Sequence, residues 1–100
     1  MATTEDDAIM ARFVSDYLAL LDERVAVITA EVESRNDLTA HVALLSLESS
    51  SAMVGEKELA SLVGLLRSAV ERGHRSVIPG LLTSVGIEAG RVHERLAIRG

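Results

Sequence analysis

Residues 38–55 read LTAHVALLSLESSSAMVG, and the phase of this stretch decides the fold. At about 100° per residue, Ala40, Ala43, Leu44, Leu47, Ser50, Ser51 and Val54 gather on one side of a helix. That side is apolar apart from two small hydroxyls, so it is the natural core face. The opposite side carries Leu38, His41, Val42, Leu45, Glu48, Ser49, Ala52 and Met53. A surface helix should be polar there, yet Leu38, Val42, Leu45 and Met53 are large and apolar. A contiguous apolar patch left in water marks a contact surface. The alternative is a central helix buried on both sides.

The same three-and-four spacing runs outward in both directions. Upstream, Ile9, Phe13, Tyr17, Leu20, Leu21, Val25, Ile28 and Val32 form one long pattern. It begins behind Thr4-Glu5-Asp6-Asp7, a capping-box sequence whose acids suit a helix N-terminus. Its length allows either a kink or a short separate first helix. It ends at Ser34-Arg35-Asn36-Asp37, where Asn36 or Asp37 can cap the helix of residues 38–53. Gly55 breaks that helix. A third begins near Glu56 with the stripe Leu59, Leu62, Val63, Leu66 and Val70, and Gly73 stands where a C-terminal glycine belongs. The fourth starts behind Ser76, with Pro79 in its first turn. Its stripe is Ile78, Leu81, Leu82, Val85, Ala89, Val92 and Leu96. Gly80, Gly86 and Gly90 weaken it, unless they serve a close helix approach. Four amphipathic helices with short links predict an all-α, antiparallel up-and-down four-helix bundle.

Composition agrees with one domain spanning residues 1–100. Of the 100 residues 48% are hydrophobic and 25% charged, too apolar for a disordered chain. The absence of cysteine excludes disulfides, thiol catalysis and Cys-ligated zinc. The net charge is −5. Residues 1–50 hold ten acids and three bases, and residues 51–100 five acids and seven bases. An acidic chain with two aromatics and no basic run is a poor match for nucleic acid. No apolar run approaches a membrane span, and the acidic Met1–Asp7 segment is unlike a signal peptide, so a cytoplasmic location is the default expectation.

The run Leu45-Ser46-Leu47-Glu48-Ser49-Ser50-Ser51-Ala52-Met53-Val54-Gly55, followed by Leu59, resembles the signature of histidine-containing phosphotransfer (HPt) domains. That signature reads His-x-Leu-Lys-Gly-Ser-Ser-x-x-x-Gly-Ala, with a leucine three residues on. Leu47, Ser50, Ser51, Gly55 and Leu59 match it without a gap. Phe13 and the leucine-rich helix after it resemble the family's first helix, Leu66–Gly73 the end of its third, and the helix ending in Val92 and Leu96 its last. The resemblance implies an HPt-like bundle covering most of the chain.

The departures fall on the chemistry. The family carries a phosphoryl group on an exposed histidine, steadied by the lysine, with the glycine admitting a receiver domain. Here Leu45 stands at the histidine position, Glu48 at the lysine, Ser49 at the glycine, and Glu56 follows Gly55. Packing positions are kept and chemical positions are changed. His41, one turn before Leu45 on the same side, is the alternative phospho-acceptor, but no cation follows it within a turn to hold phosphate. His74 reads as a loop histidine. His93 lies in a charged last turn, where a cation suits the helix dipole. The three histidines lack metal-site spacing, and no Gly-rich phosphate loop or cofactor motif is present.

These readings imply a phosphorelay module that binds a response-regulator receiver domain or a histidine kinase without carrying phosphate. The expected contact residues are Leu38, His41, Val42, Leu45, Glu48, Ser49 and Ala52, with His41 and Glu48 at the rim. Active phosphotransfer through His41 and a homodimeric assembly module using the same face are the alternatives. No catalytic residue, metal or cofactor is expected otherwise.

Overall fold

In a computed structural model, residues 5–99 are described, with side chains through residue 97. The described residues form four α-helices: α1 Glu5–Glu33, α2 Asp37–Met53, α3 Lys57–Arg72 and α4 Ile78–Arg99, the last preceded by a 3-10 turn at Arg75–Val77. No strand occurs among the described residues. The capping-box residue Thr4 lies outside them, while Glu5, Asp6 and Asp7 occupy the first turn of α1. α1 is one helix of 29 residues rather than two.

Three links of similar geometry join or end the helices. Gly55 (φ 83°) and Gly73 (φ 69°) adopt the left-handed conformation after α2 and α3, and Arg35 (φ 60°) does so after α1. In each, the following amide returns to a carbonyl five residues back: Glu56 to Ser51, His74 to Ala69, Asn36 to Glu31. Those bonds satisfy carbonyls that a helix end leaves open. Asn36 stands at the N-cap of α2, but its side chain makes no capping bond. Asp37 instead lies 3.3 Å from Arg75, tying the start of α2 to the turn before α4.

The core is built from the four expected stripes. Leu21, Ile28 and Val32 of α1 meet Ala40, Leu44 and Leu47 of α2, Leu59, Val63 and Leu66 of α3, and Val85, Ala89 and Val92 of α4. Two expectations fail. Ile9 and Leu20 belong to no core contact and are exposed. They lie about 100° around α1 from the core stripe, so the upstream pattern merges two stripes of one long helix. Gly80, Gly86 and Gly90 face open space, with nothing near a Cβ, so they admit no close helix approach. Gly64 does: a Cβ there would come 2.9 Å from Glu48 Oε2.

Candidate functional site

The outer face of α2 is the site the sequence singles out, and burial along that helix follows the helical phase. Ala40, Leu44, Leu47 and Ser51 are sealed, whereas Leu45 is 45% exposed, Val42 62%, Met53 64% and Leu38 80%. Ser49 and Ala52 are exposed between them. α2 is therefore not buried on both sides. One strip of it is core, and the opposite strip is apolar and in water.

The α3 edge of this face carries an ionic network. Arg67 of α3 donates from Nε to Glu48 Oε1 (2.7 Å) and from Nη1 to Glu71 Oε1 (3.0 Å). The same Glu71 oxygen lies 2.9 Å from His41 Nδ1. Hydrogen bonds to Glu48, and secondarily to Glu71, push the Arg67 guanidinium further above its ordinary value. Gly64, one turn before Arg67, leaves the space that the Glu48 carboxylate occupies. His41 and Glu48 are thus half-buried and engaged with α3. A search for a cation within the next turn of α2 misses Arg67, because α3 supplies it from 26 residues downstream.

The opposite edge of α2 is bound to α1. Arg24 Nη2 donates to Ser46 Oγ (2.8 Å), and the Thr39 hydroxyl donates to Glu31 Oε2 (2.6 Å). Tyr17 and Ser51 share a buried 2.8 Å hydrogen bond between their hydroxyls. Ser51, one of the matched signature serines, is therefore a packing residue with a satisfied hydroxyl. Replacing it by alanine strands the Tyr17 hydroxyl and should cost about 1–3 kcal/mol, while the Tyr17→Phe/Ser51→Ala pair should cost less than the two single changes combined. Burial raises the Tyr17 pKa above the ordinary tyrosine value, against a smaller lowering by the Ser51 bond. The unfolded chain then ionises first as pH climbs past about 10, so stability should fall there and continue falling until the folded phenol ionises. Tyr17→Phe should lose this alkaline fall. Since Tyr17 is the sole tyrosine, denaturant melts across pH with a tyrosinate absorbance titration check it.

The other histidines lie off this face. His74 is exposed at the turn after α3, and His93 Nε2 lies 3.4 Å from Asp22 Oδ1 between α4 and α1. A second polar cluster escaped the sequence reading. Glu56, the α3 N-cap residue, and Glu88 of α4 are both buried, and Arg95 Nη2 reaches each carboxylate at 2.8 Å. The bonds to Glu56 and then Glu88 raise the Arg95 pKa further above its usual range. Only the Glu88–Arg95 spacing of seven, two helical turns, hints at it in sequence. It fastens the start of α3 to α4. Among the described residues no three His, Asp or Glu side chains gather as a metal site, and no helix is long and apolar enough to cross a membrane.

No family model, curated protein or solved structure matches the chain.

Proposed function

We propose that this chain is an HPt-like module of a phosphorelay, an antiparallel up-and-down bundle that docks a receiver or kinase domain through the outer face of α2 without carrying phosphate. One observation carries the reading: Leu45, at the position that the resemblance gives to the phospho-histidine, stands half-exposed in an apolar strip while Leu47, two residues on, is fully buried. A leucine there has no lone pair for a phosphoryl group, but it keeps the shape of a knob for a partner's apolar surface.

Side-chain pairs between helices support the antiparallel course. Tyr17 pairs with Ser51, Arg24 with Ser46 and Glu31 with Thr39, so the α2 number falls as the α1 number rises. Glu48 pairs with Arg67 and His41 with Glu71 in the same sense between α2 and α3.

A second reading has its own observation. Glu71 beside His41 Nδ1 favours the tautomer with the proton on Nδ1, leaving the Nε2 lone pair available as a nucleophile. Charge opposes it. Glu48 and Glu71 both crowd Arg67 and repel an incoming phosphoryl group.

The test is to titrate the chain with receiver and kinase domains, unphosphorylated and phosphorylated, reading binding and acid-labile phosphate together. Binding without phosphate on the chain is the expected result. Phosphate that disappears in His41→Gln would replace this reading by phosphotransfer, and absence of binding to either class would refute it.

A further inference from the structure

α1 is longer than the bundle it belongs to. Its 29 residues span about 43 Å against about 25 Å for the 17 of α2, and the chain measures 51 × 22 × 19 Å. Every residue from Glu5 to Arg12 is exposed. Two turns of helix projecting alone have little tertiary support, since short helices in water are marginal. Ile9, Phe13, Leu20 and Val27 form a second apolar strip within an arc of about 40° around α1. Where this strip runs beside α2 it borders a groove with a cavity of about 500 Å³, lined in part by Phe13, Leu20, Arg24 and Ser50.

We propose that the occupant of this groove is the projecting end of α1 from a second copy of the chain, in a two-fold dimer of antiparallel α1 helices. The charges along α1 select that partner. With the axis between residues 14 and 15, Ile9 of each copy faces Leu20 of the other. Asp6 comes within one residue of the level of Arg24, and Arg12 within one residue of that of Asp16. Residues at equal angles share a flank in such a pair, and Asp6 and Arg24 are both about 40° from the centre of the strip on the same side. None of the salt bridges among the described residues joins Arg12 or Arg24 to an acid, and the Arg24 bond to the Ser46 hydroxyl uses one of its five N–H donors. Each opposite-charge pair occurs twice by symmetry. Like charges work against these: Glu5 with Glu23 near the outer end, also twice by symmetry, and Asp16 with its own copy within a turn near the axis.

The surface differs from the α2 face and the proposal does not depend on receiver binding. Sedimentation equilibrium of the full chain, with circular dichroism to verify folding, is the experiment. The wild-type chain should dimerise. Leu20→Asp, at a half-exposed position, should stay folded and weaken the dimer by at least roughly 100-fold. Arg24→Glu should weaken it roughly fivefold to thirtyfold, and Asp6→Arg added to it should restore affinity. Glu23→Lys should tighten it. A monomer at millimolar concentration overturns the proposal. So does a dimer that survives Leu20→Asp, whether or not Leu45→Asp abolishes it.

Discussion

Leu45→Asp should weaken docking of a receiver or kinase domain by about tenfold to 150-fold and leave the melting curve of the isolated chain unchanged. The magnitude follows from burial: covering a leucine side chain contributes about 1.5–3 kcal/mol, and a charge at that point forfeits it while adding a desolvation cost. Folding should be indifferent because Leu45 lies about 160° around α2 from Leu47, which is fully buried. Val42→Asp should act alike from one turn away. Truncating Ser49 should matter less, since it offers little area. Calorimetric titration of wild type and variant, paired with thermal melts, decides the matter. A variant that binds as tightly as wild type moves the docking surface elsewhere.

Leu47→Ala should show the opposite pattern, losing about 2–5 kcal/mol of stability, the range for emptying a fully buried leucine site. In a chain of 100 residues that corresponds to a fall in Tm of at least about 10 °C. Leu45→Ala, two residues away, should stay within about 0.5 kcal/mol, as surface substitutions do. The contrast tests the helical phase of α2 directly, independent of any partner. Equal losses at both positions would mean that α2 is buried on two sides.

Much of this architecture is local and therefore legible in the chain. Gly55 and Gly73 mark the ends of α2 and α3 because a left-handed residue must close each helix, and glycine adopts that conformation without a Cβ penalty. The core face of α2 follows from the helical repeat alone, as the burial of Ala40, Leu44, Leu47 and Ser51 shows. Arg35 performs the glycine role after α1 with no such mark, and its turn is recognisable only from the polar run around it.

Relations between helices depend on distances that no window of sequence contains. Periodicity finds an apolar residue on α1 without saying which side the other helices cover, so Ile9 and Leu20 join the core stripe on paper and stay outside it in the fold. Arg67 reaches Glu48 because Gly64 lacks a side chain where α2 and α3 approach, a matter of packing rather than propensity. Glu56, Glu88 and Arg95 look like surface charges until α3 and α4 bury two carboxylates around one guanidinium. A repeat of 3.6 residues specifies where a side chain points on its own helix; what it meets there is set by the neighbouring helix, which long-range packing alone brings into place.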